Sequence, residues 1–292
     1  MPKSRIIVAL RNGPATLWAA FRRPLVRSVM LAGSLSLLML APIDAAGSRD
    51  LRADDGVDTA LIMAVDVSQS VDQERYRLQM DGIARTLEDP GVIDAITAGA
   101  KGGILYSMII WSDQANFAIG WRRIFSREDA LKIAAEIRDL PQQGGEFTCV
   151  ARMLRTVSVS IIPNIPIPAN RVVLDVSSDG IDNCNDYNTL HSARDSVLAT
   201  GATINGLPII VEGENEVVGS GAYRAPGFGL RELSRRPDQE RTTLDRWFND
   251  HVVGGPGAFL LTAKGYSDFA RALRQKFVIE VAGGLPARLA HR

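Results

Sequence analysis

Three short stretches of this chain carry carboxylates and hydroxyls at spacings that suit a metal site. The first is DVSQS, in which Asp66, Ser68 and Ser70 occupy alternate positions directly after the apolar run 60–65. The second is the turn GGEFTC, which contains Thr148, and the third is SSDG, which contains Asp179. Oxygen donors of this kind, with neither His nor Cys among them, favour Mg²⁺, Mn²⁺ or Ca²⁺ over Zn²⁺.

DVSQS alone supports two interpretations. Ser70 and Gln73 also fit a helix-capping box, and Asp66 fits a cap for its own loop. Adding Thr148 and Asp179 favours the metal site, because a cap does not need either of them. Other aspartates nearby are interpreted as structural: Asp113 as a turn residue, Asp175 as a buried strand residue, and Asp182 and Asp186 as residues of a solvated loop.

The elements that must position these residues follow from the hydrophobic pattern. Apolar runs predict strands at 60–65, 104–111, 115–121, 171–176, 202–211 and 258–261, and amphipathic stretches predict helices at 76–87, 131–137, 150–161, 187–198, 244–252 and 266–278. This alternation predicts one α/β domain with a mainly parallel sheet, and the 104–121 pair adds an antiparallel edge strand. Ligands of such sheets bind outside the carboxyl ends of the strands, where the candidate residues lie.

In this order, the three stretches resemble the von Willebrand factor A domain, the integrin I-domain fold, over roughly residues 59–281. The metal-ion-dependent adhesion site of that family uses a D-x-S-x-S turn, a Thr from a second loop and an Asp, often followed by Gly, from a third. The matching residues here are Asp66, Ser68, Ser70, Thr148, Asp179 and Gly180. The resemblance implies a doubly wound sheet with helices on both faces and a bound Mg²⁺, Mn²⁺ or Ca²⁺. It also implies that a partner's carboxylate completes the metal shell.

The chain has two cysteines, Cys149 and Cys184. An even count favours a disulfide in an exported protein, whereas free thiols are expected in the cytosol. In the fold that the resemblance implies, both cysteines lie on neighbouring loops at the edge of the metal site. A Cys149–Cys184 disulfide would then join two metal-bearing loops, and two free thiols are the alternative.

The first 46 residues have the pattern of a secretory signal peptide. A basic segment precedes the apolar stretch Ser28–Ile43, and small residues follow it. The alternative is a retained membrane anchor, but this stretch is short for a bilayer span. We therefore expect a periplasmic or secreted protein with no stable membrane anchor after cleavage. The predicted layout is a signal peptide at 1–46, a linker at 47–58, one domain at 59–281 and a tail at 282–292.

Composition and motifs argue against two classes of function, nucleic-acid binding and enzymatic catalysis. The chain is 46% hydrophobic with a net charge of +0, and no basic run follows residue 27, which argues against nucleic-acid binding. No G-x-S-x-G elbow occurs, and His191, His251 and His291 are interpreted as solvated surface residues, so we do not expect an enzyme. The expected function is cation-dependent binding of a protein or peptide with an exposed Asp or Glu. The alternatives are a structural domain with a vestigial metal site and a metal-dependent hydrolase.

Overall fold

The computed structural model describes residues 56–219 and 241–282. The predicted signal peptide, most of the predicted linker and nearly all of the predicted tail, with His291, lie outside these ranges. The strands are β1 (Val57–Asp66), β2 (Ile104–Trp111), β3 (Ala115–Ile124), β4 (Ala169–Ser178), β5 (Thr203–Ile210), β6 (Val217–Val218), β7 (Thr242–Thr243) and β8 (Ala263–Lys264). The helices are α1 (Gln73–Glu88), α2 (Pro90–Thr97), α3 (Arg127–Arg138), α4 (Val150–Thr156), α5 (Tyr187–Leu198), α6 (Leu244–His251) and α7 (Phe269–Val281).

Six strands form one sheet in the order β3-β2-β1-β4-β5-β8. All neighbours pair in parallel except β2 and β3, which pair antiparallel at one edge, as predicted. From β1 the chain runs outward to β3 and then returns to the other side of β1 as β4. The strand order therefore reverses between β1 and β4, and their carboxyl ends form the crevice in which ligands of such sheets bind.

Helices cover both faces of the sheet, which confirms the doubly wound α/β architecture. Helices α1, α2, α3 and α7 pack on one face, and α4, α5 and α6 pack on the other. Successive residues of β1 point to opposite faces. Leu61 and Met63 therefore join the first core, whereas Ile62 and Ala64 join the second. This explains why β1 is a continuous apolar run rather than an alternating one.

Several observed elements differ from the predicted ones; for example, the helix predicted at 150–161 is α-helical only over Val150–Thr156, and β6 and β7 were not predicted. Strand β1 begins at Val57, three residues before the predicted start. Helix α2 was not predicted; Pro90 is its first residue, a position where proline is tolerated, and the side chain of Asp89 caps the helix. The strand predicted at 258–261 is wrong, since the edge strand is β8 and Leu260 forms only an isolated bridge with Gly206. None of the helices in the described ranges is long and apolar enough to cross a membrane.

Candidate metal centre

The five predicted ligands come from three loops that meet at the carboxyl edge of the sheet. Asp66 is the last residue of β1, and Ser68 and Ser70 lie in the turn that leads to α1. Asp179 directly follows β4, and Thr148 lies just before α4. Four of the five side chains are buried, but Ser70 is exposed, so the cluster is open to solvent on that side.

Hydrogen bonds join these residues into one network. Thr148 Oγ1 donates to Ser68 Oγ at 3.2 Å, and Ser68 Oγ lies 3.4 Å from Ser70 Oγ. Ser70 Oγ donates to Asp179 Oδ1 at 2.7 Å, and the backbone N–H of Ser68 donates to Asp66 Oδ1 at 2.8 Å. The structure therefore brings together all five residues that the sequence grouped.

The geometry also shows which side chain caps the helix that follows DVSQS. The side chain that caps α1 belongs to Asp72, which accepts the backbone N–H of Arg75 at 2.9 Å. Ser70 does not cap the helix, and its hydroxyl turns toward Asp179 instead. Asp66 does hold its own loop, through the Ser68 N–H, and its second oxygen accepts a hydrogen bond from Ser178.

Three residues that contact the cluster were not predicted from the sequence. Ser178 Oγ donates to Asp66 Oδ2 and also accepts the Gly180 N–H at 3.0 Å. The Tyr266 hydroxyl donates to Asp179 Oδ2 at 2.9 Å, and Arg75 Nη1 lies 3.8 Å from the same oxygen. Ser178 stands next to Asp179 in SSDG and could have been included, but no sequence signal links Tyr266 to a loop 87 residues away.

The electrostatics of the cluster favour a cation. Burial raises the pKa of Asp66 to about 7, and the nearby charge of Asp179 adds to this effect. Burial likewise raises the pKa of Asp179. Two buried carboxylates thus lie together, and the cation found beside them in the described ranges is Arg75, at the rim. A divalent cation would neutralise both carboxylates, and carboxylate and hydroxyl oxygens are donors that Mg²⁺, Mn²⁺ and Ca²⁺ accept.

No group of three or more His, Cys, Asp or Glu side chains in residues 56–219 and 241–282 could hold a metal ion. The candidate centre therefore depends on its hydroxyls as well as its carboxylates. In this respect it resembles Mg²⁺ sites, which use one or two carboxylates and keep positions open for water or an external ligand.

The loop that carries Thr148 is held by tight packing rather than by regular structure. Asp113 accepts the backbone N–H of Phe147 at 2.7 Å and that of Glu146 at 3.3 Å, which agrees with its interpretation as a turn residue. A Cβ atom at Gly145 would lie 2.5 Å from Ser112 Oγ and 2.7 Å from Asp113 Oδ2. Glycine is therefore needed at position 145 for this close approach.

The prediction that Asp182 and Asp186 lie on a solvated loop is wrong for Asp182. Asp182 is buried, and it accepts the Ala151 N–H in the first turn of α4 at 2.7 Å. It also accepts the backbone N–H of Cys184 at 2.8 Å. Asp186 is the N-cap of α5 and accepts the Thr189 N–H at 2.7 Å. Both residues therefore position helices.

The Cys149–Cys184 disulfide is present. The two Cα atoms are 5.1 Å apart, which is within the usual range for disulfides. Cys149 is the N-cap of α4 and directly follows Thr148, and Cys184 lies on the loop that begins with Asp179. The bond thus joins the second and third loops of the candidate centre.

The prediction of separately solvated histidines is wrong for His191 and His251. Both are half-buried, and His191 Nε2 lies 2.8 Å from His251 Nδ1. Tyr187 stacks on His251 with ring centroids 4.3 Å apart. Burial, together with the neighbouring His191, lowers the pKa of His251. The two histidines therefore form a contact between α5 and α6.

Comparison with known proteins agrees with this fold. Residues 56–285 match the family described as Protein of unknown function (DUF1194). The chain belongs to this family. Among solved structures, proximal thread matrix protein 1 from the mussel byssus is similar over 78% of this chain and 49% of that one, at 16% identity and a TM-score of 0.52. The fold is that of the von Willebrand factor A domain.

A second structure of the mussel protein is described with a zinc-occupied MIDAS motif. It is similar over 78% of this chain and 48% of that one, at 14% identity and a TM-score of 0.50. The chain thus spans about half the length of the mussel protein. No curated protein matches it.

Proposed function

We propose that this protein is an exported module that binds a partner protein or peptide through a divalent cation. The observation that carries the proposal is the convergence of oxygen donors from three loops into one cluster with an exposed side. Asp66, Ser68, Ser70, Thr148 and Asp179 would hold the cation, directly or through water. An Asp or Glu carboxylate of the partner would complete the metal shell.

Two further observations support a metal at this position. The mussel protein shares the fold, and one of its structures is described with zinc in a MIDAS motif, so the fold can hold a divalent ion. In this chain the donors are all oxygens, and we therefore propose Mg²⁺, or else Mn²⁺ or Ca²⁺, rather than zinc.

Export and the domain layout remain part of the proposal. The disulfide is typical of proteins that fold in an oxidising compartment, which supports the periplasmic or secreted location expected from residues 1–46. The proposed layout places the signal peptide at 1–46, the linker at 47–58, the binding domain at 59–281 and the tail at 282–292.

Binding, rather than catalysis, accounts best for the residues at the centre. A metal-dependent hydrolase would need a general base beside the ion. His191 and His251 bond to each other rather than to any of the five candidate ligands. The hydroxyls of Ser68, Ser70 and Thr148 are all engaged in the cluster, as a ligand set would be.

Removing either carboxylate tests the metal site. We expect Asp66→Ala and Asp179→Ala to abolish Mg²⁺ and Mn²⁺ binding in titration calorimetry, because each removes one of two charges that hold the ion. Asp72→Asn is the matched control, since it removes a charge from the same turn but Asn still caps α1. Undiminished cation binding in both Ala variants, with Asp72→Asn also unchanged, would show that the site assignment is wrong.

The partner requires a separate measurement. Immobilised wild-type protein should retain specific proteins from an envelope extract with Mg²⁺ but not with a chelator. Asp179→Ala should retain none of them in either condition. Equal retention by the wild type with and without Mg²⁺ would contradict cation-dependent binding.

A further inference from the structure

Arg75, in the first turn of α1, lies at the rim of the candidate centre. Its Nη1 atom donates to the Ser70 carbonyl at 3.1 Å and lies 3.8 Å from Asp179 Oδ2. Its guanidinium also covers the ring of Tyr266, 5.3 Å from the centroid. Two of these three neighbours, Ser70 and Asp179, belong to the proposed ligand set. The charge of Arg75 is therefore held at a fixed position beside the place where a partner carboxylate would arrive.

The second terminal nitrogen of Arg75, Nη2, binds a carboxylate of the same chain. Arg75 Nη2 lies 2.7 Å from both oxygens of Glu214, whose side chain is 52% exposed. Asn215 fixes the loop that presents Glu214, because its side-chain amide donates to the carbonyl of Asp179 at 2.6 Å. Glu214 thus occupies a carboxylate-binding position that adjoins the metal centre.

We propose that Arg75 is a second carboxylate-binding point for the partner, and that Glu214 is the internal group that the partner displaces. This inference rests on the proposed function. It adds that the partner is an acidic segment with two carboxylates close together, of which one binds the cation and the other binds Arg75. In an extended segment such groups stand two residues apart, and in a helix three or four apart.

The energetics favour the exchange. The Glu214 side chain is 52% exposed, so solvent can reach it when it leaves, and an incoming carboxylate that forms the same contact with Arg75 replaces the one that is lost. A partner already held at the cation would present its second carboxylate to Arg75 at high effective concentration. Because Tyr266 and the Ser70 carbonyl already hold the guanidinium in place, little further ordering is needed when the partner binds.

Short synthetic peptides test the inference without knowledge of the natural partner. The probes are end-blocked, fluorescently labelled Gly/Ser decapeptides with one Asp, or with two Asp residues separated by zero to four positions. Anisotropy would measure their binding to the full chain with saturating Mg²⁺ and with a chelator. In Mg²⁺ we expect at least one two-Asp peptide to bind about tenfold more tightly than the one-Asp peptide, because its second carboxylate competes with Glu214 for Arg75 at high effective concentration.

Three variants assign that preference to Arg75. Arg75→Gln should lower the affinity for the two-Asp peptide to that for the one-Asp peptide. Arg75→Lys should restore part of the difference, because lysine keeps the positive charge but cannot form the bidentate contact of a guanidinium group. Glu214→Gln should strengthen two-Asp binding several-fold by removing the internal competitor. Arg85→Gln, an exposed change on the same helix, is the matched control. Thermal melting would establish that each variant is folded.

The possible outcomes separate the two proposals. Mg²⁺-dependent binding with no preference for two Asp residues, or a preference that survives in Arg75→Gln, would overturn the role of Arg75 alone. If no peptide binds in a Mg²⁺-dependent manner, the proposed function fails, and this inference fails with it. A preference that is lost in Arg75→Gln and increased in Glu214→Gln would support both proposals.

Discussion

Ser70 and Asp72 lie two residues apart at the start of α1 but have separate roles. The Asp72 carboxylate satisfies a backbone N–H of the first helical turn, and the Ser70 hydroxyl donates to Asp179 across the sheet edge. Helix capping and the proposed cation binding therefore use different side chains of the same turn, although both residue types are common helix caps.

This separation predicts opposite effects for two alanine variants. Asp72→Ala should lower the free energy of unfolding by about 1 kcal/mol and leave Mg²⁺ affinity nearly unchanged, because only a cap is lost. Ser70→Ala should leave stability nearly unchanged but weaken Mg²⁺ binding on the order of tenfold. Urea unfolding and calorimetric titration would measure the two effects. A large loss of stability in Ser70→Ala would contradict the assignment.

At the scale of elements, the disulfide and Asp182 hold the second and third loops of the centre together. Cys149 precedes α4, and Cys184 belongs to the β4–α5 loop. Asp182 of the same loop accepts a backbone N–H from the first turn of α4. Thr148 and Asp179 are thus positioned by a covalent bond and by hydrogen bonds between the elements that carry them.

Replacing both cysteines with serine should therefore affect stability and metal affinity together. We expect a loss of roughly 2–4 kcal/mol in the free energy of unfolding, because the unfolded chain is no longer constrained. Mg²⁺ binding should also weaken, because Thr148 and Asp179 are no longer held at a fixed separation. Urea unfolding and calorimetry of Cys149→Ser/Cys184→Ser would test this. Mg²⁺ affinity equal to that of the oxidised wild type would show that the bond does not brace the site.

The sequence could predict most of the elements and the grouping of the five candidate residues because both produce local signals. Buried strands are continuous apolar runs; Asp66 is the last residue of one of them, and Asp179 directly follows another. Tyr266 and Glu214 could not be predicted, since their contacts with the centre depend on how distant loops fold back over it. Asp182 was misassigned because a polar loop residue with a buried capping role has the same sequence context as a solvated one.

At the scale of the whole molecule, a buried charged cluster fastens α7 to the sheet. Lys276 lies 2.7 Å from Asp175 Oδ1 on β4, and it also donates to Glu280 one turn further along α7. Asn205 on β5 donates to Glu280 at 2.8 Å. All three charged side chains are fully buried, so two carboxylates share one ammonium group.

This cluster predicts a pH dependence of stability. Burial, with the charge of Asp175 as the second cause, raises the pKa of Glu280 to about 8. Because the folded state keeps this proton while the unfolded state loses it, the contribution of Glu280 to stability is complete below about pH 4.5 and is lost as the pH rises through about 8. The free energy of unfolding should therefore fall across this range.

Glu280→Gln tests how much Glu280 contributes to the pH dependence of stability. The variant should lose less stability than the wild type between pH 5 and pH 8, as measured by urea unfolding across that range. Glu136→Gln, an exposed change on α3, should keep the wild-type dependence. If Glu280→Gln and the wild type show the same slope, protonation of Glu280 does not contribute to stability.

The central position of β1 has a consequence for the order in which the molecule assembles. Thr59 of β1 lies opposite Ile104 on one side and Arg171 on the other, so the first strand of the domain pairs with a partner more than a hundred residues later. Long-range parallel pairing of this kind is slow to form. Asp66 ends β1 and Asp179 follows β4, so the candidate centre is assembled only when these two strands pair. A divalent cation bound at the proposed centre would therefore stabilise only chains in which β1 and β4 have paired, which would make its binding a reporter of that pairing.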